Sequence, residues 1–444
     1  MRVLMTSFAQ HAHFNGSVPL AWALRTAGHE VRVASHPALT PAITAAGLTA
    51  VPVGTDHPLD TVMRNGGPAL FAPLRHPDFL ENRPDRLDHD TLRYWDTVFT
   101  ALVYAPANDD TVIDDLVRFT RHWRADLVIW EPFTFSGAVA ARAAGAAHAR
   151  LLSFPDMFLS TRAALLRKNA AHPAAEHDDA LGEWLTWTID RHGHPYDEEI
   201  VTGQWTIDQM PPSISLSLGQ PTVPMRYIPY NGPAVVPAWL RSPPARPRVC
   251  LTLGTTTRSS AFPDAVSLRA TLDALSDLDI EVVATLDAAQ LATVGTLPAN
   301  TRAVEYVPLH ALLPTCAAIV HHGGAGTWST AAVHGVPQVT LGWMWDAVYR
   351  ARRLQDLEAG LFLPSGELTP AALRDRLVRL LSDPRHARGA ARLRDEMLAL
   401  PAPNDVVREL ERRTEAAHRR TAPAPIPAAA PPRPPAAPRA PVAG

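Results

Sequence analysis

Short apolar runs alternate with segments of helical periodicity along most of the chain, and that alternation limits the fold more than any other property of the sequence. Arg2 to Thr6 is an apolar strand followed by a polar loop, Ser7 to Gly16. Ser17 is placed to cap a helix that tolerates Pro19 in its first turn. Leu20, Ala23, Leu24 and Ala27 then repeat at helical spacing, and Gly28 supplies the stop. Val31 and Val33 alternate through a second strand over 30–34. A strand over 126–130, a helix over 135–144 and a strand near 150–153 continue the pattern. The second half repeats it, with strands at 248–253, 281–285, 317–320 and 336–341 and helices at 264–275, 327–334 and 346–356. Helices over 370–381 and 387–398 follow, and Asn404 caps another with Val406, Val407 and Leu410 on one face. The predicted class is α/β, with two doubly wound parallel sheets facing a cleft at the carboxyl ends of their strands.

Proline divides the chain. There are 43 in 444 residues, nearly twice the usual fraction of about 5%, and they concentrate in two places. Residues 421–444 are almost wholly Ala, Pro and Arg, a composition that buries too little apolar surface to offset chain entropy and predicts a disordered tail. Residues 221–247 are expected to be a linker. The predicted organisation is therefore a first domain over 1–220, a linker over 221–247, a second domain over 248–400, a terminal helix over 401–420 and the tail. A formal charge of 41 − 44 = −3 argues against nucleic acid or a polybasic membrane anchor as partner. Two cysteines, Cys250 and Cys316, are too few for a disulfide framework. Neither a signal-peptide core nor a run of about 18 apolar residues is present, so a cytoplasmic protein is expected.

The most specific stretch runs Val320-His321-His322-Gly323-Gly324-Ala325-Gly326-Thr327-Trp328-Ser329-Thr330, where an apolar strand ends and a helix begins. Glycines there let backbone approach a ligand, and a helix N-terminus offers unpaired N–H groups and positive partial charge, so phosphate is the natural guest. Neighbours in extended chain point opposite ways, so one of His321 and His322 is expected to reach that guest. The same stretch also reads as an ordinary glycine-rich turn. It fits neither the dinucleotide fingerprint nor a Walker loop.

His-Gly-Gly-Ala-Gly-Thr, followed by Gly335-Val336-Pro337-Gln338 and Trp345-Asp346, resembles the donor motif of family 1 glycosyltransferases of the two-domain, Rossmann-like GT-B fold. Val18-Pro19-Leu20-Ala21-Trp22-Ala23-Leu24 and Tyr230-Asn231-Gly232-Pro233 narrow the resemblance to bacterial deoxysugar transferases that decorate macrolides and anthracyclines. The resemblance implies that His322 contacts the donor diphosphate, with Gly324, Ala325, Gly326 and Thr327 donating to the phosphates. It places Thr255 and Thr256 near the same phosphates and the backbone of Tyr306 and Val307 at the base; both segments also read as ordinary turns. Many relatives carry a glutamate eight residues after the donor histidine, to accept from a ribose diol, where this chain has Thr330. The usual Asp-Gln pair at the sugar is Asp346-Ala347. Fewer hydrogen-bond partners fit a deoxyribose nucleotide and a deoxyhexose, hence a dTDP-deoxysugar donor.

Transfer to an alcohol needs a base, and histidine, with an ordinary pKa of about 6.5, suits the task. His11 and His13 lie in the loop after the first strand. His13 stands fifteen residues before Gly28, the spacing at which relatives place their catalytic histidine, although Gly16 replaces the proline that usually follows. Glu131, after the strand over 126–130, takes the position of the partner carboxylate, where aspartate is common. The resemblance implies inverting transfer from the dTDP-sugar to a hydroxyl of a polyketide aglycone, with no cofactor. It also implies an auxiliary activator that looks like a haem monooxygenase lacking haem. No metal is expected: Asp88-His89-Asp90 and Asp277-Leu278-Asp279 have a metal-pair spacing but neither adjoins the glycine turn. A nucleotide-sugar epimerase and a catalytically silent paralogue acting as a partner subunit are the competing readings. Aromatic residues between Thr61 and Trp123 are candidates for an acceptor wall or a partner surface, with core packing as the default.

Overall fold

The computed structural model describes residues 1–58, 83–173, 176–252, 268–342 and 345–421. Among them thirteen strands form two sheets, every pairing parallel. The first contains β1 (Arg2–Thr6), β2 (Glu30–Ser35), β3 (Thr49–Pro52), β4 (Leu127–Trp130), β5 (Ala147–Leu152), β6 (Trp205–Asp208) and β7 (Thr222–Pro224), in the order β3-β2-β1-β4-β5-β6-β7. The second contains β8 (Arg248–Thr252), β9 (Glu281–Thr285), β10 (Thr301–Val304), β11 (Cys316–His321), β12 (Gln338–Thr340) and β13 (Gly360–Phe362), in the order β10-β9-β8-β11-β12-β13.

Strand alternation builds the layers. Val3 and Met5 of β1 join one buried cluster with Leu20 and Leu24, while Leu4 joins another with Ile113, Leu116 and Val139. Each sheet is thus covered by helices on both faces, as an all-parallel sheet requires. Strand order reverses between β1 and β4 in the first sheet and between β8 and β11 in the second. Open parallel sheets bind ligands in the crevice at such reversals, beyond the carboxyl ends of the strands.

Two departures from the sequence reading have clear physical causes. Thr222–Pro224 lies inside the stretch expected to be linker, yet pairs with β6 as the sheet's last strand. An edge strand has one unpaired side, which is where proline is tolerated. The helix Pro403–Thr421 returns to the first sheet: Val406, Val407 and Leu410 pack into the cluster of Val3 and Met5. It is fastened there by Glu411 at 2.9 Å from His29 and by His418 Nε2 donating to the Asp126 carbonyl at 3.0 Å. The two halves also meet directly, where Met210, Ile214 and Tyr227 share a core with Trp328, Ala332 and Met397. The predicted tail past residue 421 lies outside the described residues. Among the described residues no helix is long and apolar enough to cross a membrane.

Candidate active site

The loop after β1 and the loop after β4 flank the first reversal point, and they bring His13 and Glu131 together. His13 sits on the short helix His11–Phe14, its N–H donating to the Gln10 carbonyl at 3.0 Å. Its Nδ1 lies 3.1 Å from Glu131 Oε2. Glu131 is held in turn by the Phe133 N–H on Oε2 at 3.1 Å and the Phe8 N–H on Oε1 at 3.2 Å. A carboxylate only accepts, so His13 Nδ1 carries the hydrogen of that contact and Nε2 is left with its lone pair. The rings of Phe8 and Phe133 meet the imidazole edge-on, with centroids 5.3 Å and 4.8 Å away. The His13 side chain keeps 24% of its surface exposed against 9% for Glu131, so the imidazole reaches solvent while the carboxylate stays behind it. His11 is exposed and takes no part in this pair.

At the second reversal point β11 ends in two histidines with opposite fates. His321 is fully buried; its Nδ1 accepts the Gly323 N–H at 3.1 Å, and Nε2 donates to Gln338 Oε1 at 2.8 Å. Both bonds require the neutral ring, and burial, reinforced by the adjacent His322, pushes its pKa down to about 3. His322 keeps part of its ring surface open, while its Nδ1 is shut from solvent without a hydrogen-bond partner. Burial, then the Arg350 charge, lowers its pKa to about 4. A buried nitrogen without a partner is costly unless something is brought to it.

The turn depends on its glycines. Gly323 has φ +97°, and a Cβ there would stand 2.8 Å from that of Ala347; at Gly324 a Cβ would stand 2.6 Å from His322 Nε2. The helix Ala325–Val333 then begins with Gly326 exposed and Ala325 and Thr327 half-buried. Its first-turn amides are therefore presented at an open corner.

Other predicted residues fall differently. Thr330 is fully buried; its hydroxyl donates to the Gly326 carbonyl at 2.6 Å and lies 3.4 Å from the Tyr227 hydroxyl. One helical turn back there is a carbonyl to satisfy, and the hydroxyl satisfies it. Tyr306 is exposed and its hydroxyl donates to the Asn231 carbonyl, while the Val307 side chain is buried. Asn231 Oδ1 also accepts the His310 N–H at 3.0 Å, so the Tyr-Asn-Gly-Pro stretch ties the linker to the segment over 306–310. Asp346 is partly exposed, with Oδ2 accepting from Arg350 Nη1 at 2.5 Å. Thr255 and Thr256 lie outside the described residues. The metal-like pairs are used structurally: Asp88 caps the helix His89–Phe99 through the Thr91 N–H at 2.7 Å, and Asp277 pairs with Arg374. Arg350 and the supporting role of His321 escaped the sequence reading, because nothing in a one-dimensional pattern marks an arginine or a histidine as fully buried.

Residues 22–254 match the family model for the N-terminal domain of erythromycin biosynthesis protein CIII-like proteins, and residues 269–412 match the model for their C-terminal domain. The chain is 59% identical over 433 residues to the aklavinone 7-beta-L-rhodosaminyltransferase of Streptomyces galilaeus, covering 95% of this chain and 98% of that one. It is 55% identical over 426 residues to the TDP-daunosamine transferase DnrS of Streptomyces peucetius, covering 95% and 99%. The crystal structure of the glycosyltransferase VinC in complex with dTDP superposes with a TM-score of 0.81 at 43% identity, covering 94% of this chain and all of that one. Two parallel α/β domains, each with a strand-order reversal, and these relatives define a GT-B glycosyltransferase. The chain belongs to the erythromycin biosynthesis protein CIII-like family of antibiotic deoxysugar transferases.

Proposed function

We propose that this glycosyltransferase moves a deoxyhexose, with inversion, from a dTDP-sugar to a hydroxyl of a polyketide aglycone, and that His13 is the base. The observation that carries this reading is the 3.1 Å contact between His13 and Glu131 at the first reversal point. Glu131 fixes the tautomer so that Nε2 accepts the acceptor's proton, and its negative charge stabilises the imidazolium that forms. The oxygen then attacks the anomeric carbon and the bond to the diphosphate breaks. Glu131 is already engaged by three donors and is poorly placed to act as a nucleophile itself, which favours one displacement and hence inversion. Charge gathers on the departing dTDP, and His322 with the amides of Gly324, Ala325, Gly326 and Thr327 receives it. These contacts tighten as the bond breaks, so they favour the transition state over the bound donor. Asp346 is assigned to the sugar, and the Tyr306–Val307 backbone with Thr255 and Thr256 to the nucleoside and phosphates.

A small cavity of about 40 Å³ is lined by Trp95, Phe99, Tyr104, Trp130 and Phe158 together with Asp96, Arg150 and Arg162, and the Phe158 ring also meets Phe133, with centroids 5.1 Å apart. The donor assignment draws on the relative named for TDP-daunosamine and the neighbour solved with dTDP. No cofactor beyond the sugar nucleotide and a cytoplasmic location belong to the same proposal. So does an activator protein resembling a haem-free monooxygenase; the exposed Tyr94 and Trp187 offer apolar surface for it. Turnover of His13→Ala with donor, aglycone and activator tests the base: a fall of about 10²–10⁴-fold is expected, and near-native turnover removes His13 from the mechanism.

A further inference from the structure

Arg350 is 1% exposed, an unusual state for a guanidinium unless its donors are matched to acceptors. It lies one helical turn past Asp346 on the helix Trp345–Asp356. Nη1 donates to Asp346 Oδ2 at 2.5 Å, Nη2 donates to the Gly323 carbonyl at 2.5 Å, and the cation stands 5.9 Å from the Trp328 ring centroid. Gly323 is thereby held through both its N–H and its carbonyl, because the N–H already donates to His321 Nδ1 at 3.1 Å. One buried side chain thus touches both the turn that precedes the phosphate-side helix and the carboxylate assigned to the sugar.

We propose that Arg350 is a positioning residue that couples the two halves of donor recognition, setting the glycine turn through Gly323 and aiming Asp346 at the sugar. The proposal rests on the donor-site reading of His322 and Gly324–Thr327. Arg350 is too enclosed to meet the donor, so it acts through the groups it holds. Its charge also acts on the corner at a distance: the same cation that disfavours a proton on His322 favours a bound diphosphate. Lysine in its place has a single ammonium centre without the planar fork that spans two acceptors. A helix-surface ion pair at the same spacing would contribute to stability and nothing else.

The experiment measures dTDP affinity by calorimetry and the KM for a dTDP-deoxysugar, on the full chain, for Arg350→Met, Arg350→Lys, Asp346→Asn and His322→Ala, with thermal melts confirming the fold of each. Arg350→Met is expected to weaken dTDP about tenfold or more and to raise the donor KM further. Arg350→Lys is expected to fall between it and the native chain. Asp346→Asn is expected to raise the donor KM about tenfold while dTDP affinity changes less than about twofold, and its effect on KM is expected to disappear in an Arg350→Lys background. If Arg350→Met does not fold, Arg350→Lys with and without Asp346→Asn carries the test. Native dTDP affinity in a folded Arg350 variant, or additive effects of Arg350 and Asp346 on KM, overturns the coupling. Native dTDP affinity in His322→Ala instead overturns the donor-site reading on which it stands.

Discussion

After β1 and β4 the first domain sets a part-exposed imidazole against a carboxylate, whereas after β11 the second domain encloses one imidazole and half-buries the next beside a guanidinium. The frames are the same, a parallel sheet with a reversal point, and the side chain is the same. Its surroundings decide its task. A carboxylate at 3.1 Å favours a ring that gains a proton during the reaction. Burial and a neighbouring cation favour a ring that stays neutral and leaves the positive field to the helix N-terminus and Arg350. Proton transfer is thus assigned to one domain and anion binding to the other, and the bond being broken lies between them in the proposed mechanism.

The sharpest way to break this contrast is to remove the carboxylate's charge and keep its shape. Glu131→Gln is expected to lower kcat about 10²-fold or more while dTDP affinity stays native, because no group of the second corner is touched. Steady-state turnover beside calorimetric dTDP titration checks both halves. A variant that turns over normally, or one that loses dTDP instead, shows that the two corners do not divide the labour in this way.

A smaller effect sharpens the other half of the contrast. The folded pKa of His321 lies at about 3, below the ordinary value of about 6.5. The unfolded chain therefore takes up a proton on acidification before the folded chain does. The associated stability is fully present above about pH 6.5 and drains as pH falls toward 3, by at most about 1.4 kcal/mol per pH unit. His322, at about 4, has the same sign. Urea unfolding at pH 7.5, 6 and 5 is expected to show a shallower acid slope for His321→Asn than for the native chain. At pH 7.5 the same variant is expected to be less stable by about 1–3 kcal/mol, since the Gly323 N–H and Gln338 are buried and lose their partner. Coincident acid slopes for native and variant would contradict a neutral, buried His321.

The parts of the molecule that were legible in advance share a physical property. β1 and β9 were read at their observed ends, because strands covered on both faces are continuous apolar runs bounded by polar turns. β3, β6, β7, β10 and β13 go unread: each is three or four residues long and lies at or next to a sheet edge, and β3 and β7 each end in a proline. Short edge strands need little alternation and leave little pattern. His13 and Glu131 are legible through the resemblance, which places a histidine fifteen residues before Gly28 and a carboxylate just past the strand over 126–130, and the structure brings the two side chains to one crevice. Arg350 is not legible. On an amphipathic helix with Arg352 and Arg353 beside it, an arginine reads as solvated, and its burial emerges when the glycine turn folds over it.

The weakest expected effect concerns Thr330, where a pattern of residue types and the observed packing point to different roles. Losing a diol-accepting glutamate at this position fits a deoxyribose nucleotide, and that argument needs no contact from the threonine that replaces it. The hydroxyl here bonds the Gly326 carbonyl at 2.6 Å inside its own helix, with the Tyr227 hydroxyl of the linker 3.4 Å away. Thr330→Val keeps the shape and removes that bond, at an expected cost of about 0.5–1.5 kcal/mol in stability. Because Tyr227 bridges from the linker to this helix, part of the cost is expected to show as a looser seam between the halves, read as faster proteolysis near residue 227. Its dTDP affinity is expected to stay within about twofold of native, since no donor to the nucleotide has been lost. A tenfold loss measured by calorimetry would place the Thr330 hydroxyl at the ribose after all, and would make nucleoside recognition, like phosphate recognition, a property of this helix rather than of the Tyr306–Val307 segment.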